Sequence, residues 1–95
     1  ALDAAAGVVR IDRRKVSLSA KEFGLLAYLY ERRGQVCTKD EIGLAVWPEY
    51  DGEVYDYQVE NLVHRLRQTL EYEPSEPQLL VTVRGLGYKL VAAAD

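Results

Sequence analysis

Between residues 57 and 70 the apolar side chains recur at Val59, Leu62, Val63, Leu66 and Leu70. At about 100° per residue this spacing gathers all five on one arc of an α-helix. Tyr57, Gln58, Asn61, His64, Arg65 and Gln68 then fall on the opposite side, with Glu60 and Arg67 at its margin. Upstream, Ser19-Ala-Lys-Glu22 has the pattern of a capping box, in which serine and glutamate satisfy orphan amides at a helix start. Phe23, Leu26, Leu29 and Tyr30 supply the core stripe of that first helix, and Gly34 ends it. Thr38-Lys-Asp-Glu41 is a second box, opening a short helix with Ile42, Ala45 and Val46 inward and Pro48 at its end. Asp56 is the expected N-cap of the third helix.

Alternation replaces helical spacing at both ends of the chain. Gly7-Val-Val-Arg-Ile11 and Lys15-Val-Ser-Leu18 flank the polar Asp12-Arg-Arg14 and predict a short β-hairpin, with Ala1-Leu-Asp3 as the stub of a strand before it. Leu79-Leu-Val-Thr-Val-Arg-Gly-Leu-Gly-Tyr-Lys-Leu-Val91 predicts a second hairpin, and Pro74 and Pro77 bracket the loop leading to it. Val36-Cys37 has room for one short strand pairing. The order is hairpin, three helices, hairpin, with no repeat and no low-complexity tract. That is an α+β fold with the parts of a winged helix-turn-helix.

Composition narrows the class. A chain of 95 residues with 48% hydrophobic content suits one domain, residues 1–95, able to bury a modest core. No segment approaches the roughly 20 apolar residues needed to cross a bilayer, which argues against a membrane partner. The lone Cys37 cannot form an internal disulfide, so a reducing cytoplasm is the expected location. An alanine at the first position suggests a module excised from a longer multidomain regulator, monomeric when isolated.

The outward face of the third helix carries chemistry. Asn and Gln can bond adenine bidentately and Arg can do the same to guanine, and no acid lies at the centre of this face. Arg84 at the hairpin turn can reach a phosphate or a narrow minor groove. The net charge of −3 is unlike that of a typical nucleic-acid binder. Its distribution removes much of the objection: residues 1–37 sum to +3, residues 38–60 to −6 and residues 61–95 to zero. The acid is concentrated in Asp40, Glu41, Glu49, Asp51, Glu53 and Asp56, leaving a neutral to basic face elsewhere.

Four segments, Leu18-Ser-Ala-Lys-Glu-Phe23, Val46-Trp47, residues 59–70 with Arg65-Leu-Arg67, and Thr82-Val-Arg-Gly-Leu-Gly-Tyr88, resemble the signature segments of the OmpR/PhoB-type winged-helix effector domain of bacterial response regulators. The resemblance covers about residues 7–91. It implies sequence-specific binding of double-stranded DNA for transcriptional regulation, with recognition helix 57–71 in the major groove and wing 79–91 at the minor groove, usually at tandem direct repeats. It also implies that the loop of residues 48–55, here bearing Glu49, Tyr50, Asp51 and Glu53, contacts RNA polymerase subunits. Carried over by position, Asn61, His64 and Arg65 face bases or nearby phosphates, Arg67, Trp47 and Thr82 meet the backbone, and Arg84 is the wing residue. The chain departs from the family at positions 57 and 58, commonly arginine and threonine but here Tyr57 and Gln58, and at position 62, often histidine but here Leu62.

Each feature also has a plainer reading. Arg65 and Arg67 would sit equally well on a solvated helix face paired with Glu60 or Glu71. Trp47 and Tyr88 suit a core, and Gly85 and Gly87 supply backbone freedom at a tight turn. An enzyme fails on inventory: there is no serine, histidine and acid set, no phosphate-cradling glycine loop, no metal set and no implied cofactor. The rival to DNA binding is a winged helix turned to protein binding through the acidic loop with Tyr50, Tyr55 and Tyr57.

Overall fold

In the computed structural model, which describes residues 2–3, 8–11 and 14–91, the chain runs β1 (Leu2–Asp3), β2 (Val8–Ile11), β3 (Arg14–Ser17), α1 (Ala20–Glu31), β4 (Val36–Cys37), α2 (Lys39–Val46), a 3-10 turn (Pro48–Tyr50), α3 (Asp56–Leu70), β5 (Leu80–Val83) and β6 (Gly87–Leu90). The first three strands form an antiparallel sheet in sequence order, β2 pairing with β3 from Val8↔Ser17 to Ile11↔Arg14. Arg14 therefore belongs to a strand and not to the turn. Residue 1, Gly7 and the expected turn residues Asp12 and Arg13 lie outside the described residues. Arg14 Nη2 donates to the Leu70 carbonyl at 2.9 Å, a cation at the orphan C-terminal end of α3, and its guanidinium lies 4.6 Å from the Tyr72 ring centroid.

The second sheet has the order β4-β6-β5 and is antiparallel throughout, with Cys37 opposite Tyr88 and Thr82 opposite Tyr88 on the other side. Both expected capping boxes form. Ser19 Oγ accepts from Glu22 N while Glu22 takes the Ser19 amide, and Thr38 and Glu41 do the same for α2. Glu41 also accepts the Tyr28 hydroxyl at 2.7 Å; burial, with that hydrogen bond second, pushes the Tyr28 pKa up to about 12.

Three details of the helices differ from the sequence reading. In α1 the buried stripe is Leu25, Leu26 and Leu29, whereas Tyr30 is exposed under the Arg33 guanidinium. Residues 23–30 are apolar at nearly every position, so periodicity alone does not fix which arc turns inward. In α2 the inward face is Ile42, Gly43 and Val46, and Ala45 points out. Gly43 faces Val54, whose Cβ would lie 3.1 Å from an added methyl, so the helix turns its smallest residue to the returning chain. The N-cap of α3 is Tyr55, not Asp56: Gln58 Oε1 reaches back to accept the Tyr55 amide at 3.0 Å, and Asp56 becomes the first helical residue, an acid at the positive end of the helix.

The apolar arc of α3 is buried at all five expected positions and meets Leu25, Leu29, Ile42, Leu80 and Leu90 in one core. Val16 and Leu18 bring the N-terminal sheet against it. Among the described residues no helix is long and apolar enough to cross a membrane.

Candidate nucleic-acid interface

Because Val59, Leu62, Val63, Leu66 and Leu70 clamp one side of α3 into the core, the opposite side is presented at a fixed angle. Asn61, His64, Arg65 and Gln68 are all exposed there. Among the described residues Arg65 makes no ion pair or side-chain hydrogen bond, and the only side-chain hydrogen bond of His64 and Gln68 is with each other, at 3.5 Å between their Nε2 atoms. The pairing of Arg65 or Arg67 with Glu60 or Glu71 does not occur, since Glu60 holds Lys39 and Glu71 is buried on backbone amides. Leu62, one of the departures from the family pattern, is a core residue. Tyr57, another, is 59% exposed and stacks on Tyr55 with ring centroids 5.6 Å apart. Gln58 is half-buried and spends its side-chain oxygen on the helix start.

The wing follows from two glycines. A β-turn closed by Leu86 N on the Val83 carbonyl at 2.9 Å places Arg84 at the tip, with Gly85 at φ +77° beside it. Leu86 is 63% exposed at that tip, an apolar side chain open to solvent between Gly85 and Gly87. Gly87 is required for a different reason: a methyl on it would stand 2.1 Å from the Cys37 carbonyl oxygen.

Arg67 joins the helix to the wing. Its Nε donates to the Leu80 carbonyl and its Nη2 to Thr82 Oγ1, both at 2.8 Å, and its guanidinium carbon lies 5.7 Å from the Tyr88 ring centroid. The structure thus brings the expected residues Arg67 and Thr82 together as a brace. Tyr88 is buried, and burial pushes its hydroxyl pKa up. Trp47 is 7% exposed and lies in the core, with the Lys21 ammonium 5.6 Å from the ring centroid. Lys21 in turn donates to the Val46 carbonyl and to Glu49, both at 2.7 Å, and the Glu49 carboxyl is held below its ordinary range by that hydrogen bond.

Tyr50, Asp51 and Glu53 remain exposed on the loop, which turns through Asp51 at φ +49° and Gly52 at φ +88°. Lys39, not anticipated as a site residue, stands between α2 and α3 with its ammonium 2.7 Å from Glu60. Its signal in the sequence was its isolation, as the only cation between residues 38 and 60. Among the described residues no group of three or more His, Cys, Asp or Glu side chains converges as metal ligands.

Comparison with known proteins agrees with this fold. Residues 13–90 match the family model described as transcriptional regulatory protein, C terminal. The chain is similar to the sensory transduction protein RegX3 of Mycolicibacterium smegmatis, 41% identical over 90 residues that cover 94% of this chain and 39% of RegX3. It thus spans less than half the length of that relative. In structure it is similar to the response regulator DrrB of Thermotoga maritima, an OmpR/PhoB homologue, with a TM-score of 0.83 and 27% identity over 96% of this chain and 41% of that one. It is also similar to the RstA DNA-binding domain of Klebsiella pneumoniae, solved in complex with the RstA box, with a TM-score of 0.73 and 29% identity over 94% and 87% of the two chains.

Proposed function

Because the chain belongs to the family of C-terminal, OmpR/PhoB-type winged-helix domains of transcriptional regulatory proteins, we propose that it binds double-stranded DNA in a sequence-specific manner and regulates transcription. The observation that carries this reading is the outward face of α3, where Asn61, His64, Arg65 and Gln68 stand exposed on a helix whose other side is fully buried. A rigid helix with free bidentate groups is what major-groove readout requires. Asn61 and Arg65 face base edges, His64 and Gln68 lie beside them, and Arg84 enters the adjacent minor groove. Thr82 and the free donor edge of Arg67 face the backbone between the two. Trp47 supports this surface from within, under Lys21.

The reading includes no catalytic step and no cofactor. Residues 1–95 act as one effector module of a larger cytoplasmic regulator, monomeric alone and placed in tandem on direct repeats. Selection of bound duplexes from a random pool, repeated with variants, tests it. Replacing Asn61 or Arg65 by Ala should cost about 1–3 kcal/mol on the selected site and relax the consensus there. The change Arg84→Ala should instead alter preference only in an AT-rich flank, where a narrow minor groove focuses negative potential. Failure of the wild-type chain to enrich any sequence would sink the proposal, and uniform weakening on all sequences by the Asn61 or Arg65 change would move that residue to phosphate contact.

A second surface favours a protein partner. Tyr50, Tyr55 and Tyr57 are exposed at or beside the loop that carries Asp51 and Glu53, a loop too acidic to lie against DNA. This loop serves as the contact with the transcription machinery, in keeping with an RNA polymerase subunit as partner. Glu49 is occupied by Lys21, so Tyr50, Asp51 and Glu53 are the residues to replace. Their joint replacement by Ala should leave DNA occupancy intact and abolish transcriptional output in a reporter assay; retained output would reduce the loop to a linker. If the whole domain were a protein-binding winged helix, its association would respond weakly to salt, whereas DNA binding falls steeply through counterion release.

A further inference from the structure

Between the start of α2, the outer side of α3 and the wing runs a cleft lined by Thr38, Lys39, Asp40, Asp56, Glu60 and Leu86. Given the DNA-binding reading above, on which this inference rests, the position of the cleft fixes what it meets. A major groove and the neighbouring minor groove are divided by a single sugar–phosphate strand, so a domain with α3 in one and the wing tip in the other must straddle that strand with this cleft.

The charges of the cleft are wrong for such a guest. Its lining offers one cation, Lys39, against the carboxylates of Asp40, Asp56 and Glu60. The cation is already engaged: Lys39 Nζ donates to Glu60 Oε2 at 2.7 Å and lies 4.0 Å from Asp56 Oδ2. The hydrogen bond that Lys39 donates to Glu60 raises the lysine's pKa, so its charge is not in question. An ion pair this exposed is weak and can be exchanged for a phosphate. The exchange nevertheless breaks the hydrogen bond from Lys39 to Glu60, so a charged Glu60 competes with the phosphate for the ammonium.

We propose that Glu60, seconded by Asp56, withholds Lys39 from the DNA backbone, and that this contact lowers affinity for every sequence alike while leaving the ratio of cognate to non-cognate binding unchanged. Specificity is the ratio of cognate to non-cognate binding, and a phosphate contact surrendered on every sequence weakens the non-cognate background as much as the cognate complex. The domain gives up tightness alone and a search burden with it.

Titration of a labelled duplex of mixed sequence with the 95-residue chain, at several salt concentrations, tests the proposal. Glu60→Gln keeps a hydrogen-bonding side chain and removes the charge. It should steepen the log–log salt dependence by about 0.9 and, relative to 1 M salt, tighten binding in 0.1 M salt by about eightfold, the increment for one further neutralised phosphate. In a Lys39→Ala background the same change should alter affinity less than about twofold, because the coupling runs through the lysine. Glu53→Gln, which removes an equal charge from the loop outside the cleft, is the control. A Glu60→Gln chain indistinguishable from wild type overturns the inference. So does an equal gain in the Lys39→Ala background, which would mean direct repulsion, or an equal gain from Glu53→Gln, which would mean net charge alone. If no variant binds duplex even at low salt, the DNA-binding reading falls and the inference falls with it.

Discussion

Replacing Gly87 by Ala should cost the domain roughly 4 kcal/mol, out of the 5–14 kcal/mol that is of the order expected for 95 residues. An added methyl would lie 2.1 Å from the Cys37 carbonyl oxygen, 2.9 Å from its carbon and 3.0 Å from the Thr38 Cα. All three are backbone atoms of β4 and the α2 cap, and none can rotate away. The φ of +154° adds strain for any side chain. Relief requires β6 to move off β4, which breaks the pairing of Cys37 with Tyr88 that ties the wing to the helical core. Gly85 is the internal comparison. It has φ +77° but nothing within 4 Å of an added methyl, so Gly85→Ala should cost only about 1 kcal/mol. Urea unfolding of the two variants should separate them by several-fold in stability loss. Equal losses would show that turn conformation, and not the close approach of the strands, governs both sites.

The change Glu71→Ala should cost about 3 kcal/mol. Glu71 is 6% exposed, and its carboxylate accepts the amides of Gln78 at 2.8 Å, Leu79 at 3.1 Å and Leu80 at 2.7 Å. Hydrogen bonds to a charged acceptor contribute about 1.5–3 kcal/mol each, and the amides stranded by its loss pay a desolvation penalty only partly met by water. Glu71→Gln, with one acceptor oxygen and an amino group aimed at the donors, should lose an intermediate amount. A loss below about 1 kcal/mol for the alanine variant, measured by the same unfolding titration, would mean that water replaces the carboxylate and that the loop of residues 71–79 is not organised by it.

How far these features could be read in advance depends on how local their causes are. The five buried positions of α3 were legible because polar residues separate them at helical spacing, so only one arc can turn inward. Both capping boxes were legible because serine or threonine and glutamate stand three apart and act within a single turn. In α1 the same method fails at Leu25 and Tyr30, where apolar residues on both arcs leave the choice to tertiary packing. The start of α3 was misplaced by one residue because a glutamine at the third helical position closes the cap from inside. Arg84 and the exposed row Asn61, His64, Arg65 lie where the pattern put them, since a turn tip and a helix face are both set by neighbouring residues. The brace from Arg67 to Leu80 and Thr82, the seat of Glu71 and the approach of Gly87 to Cys37 were not legible. Each joins segments whose register no single-sequence pattern specifies.

The brace and the buried carboxylate have a joint consequence for how the domain behaves at high concentration. β5 is the outer strand of its sheet, and the amide and carbonyl of Leu80 are not used on β6; Glu71 takes the amide and Arg67 the carbonyl. Arg67 of α3 and Glu71, the residue that caps its end, thereby stand where another strand would hydrogen-bond. An outer strand with free donors and acceptors is a template for edge-to-edge addition of a second chain, the first step toward domain swapping or fibrous aggregation. The end of α3 thus shields the wing from self-association, and the exposed hairpin carries no open ladder at Leu80 on which a second copy could grow.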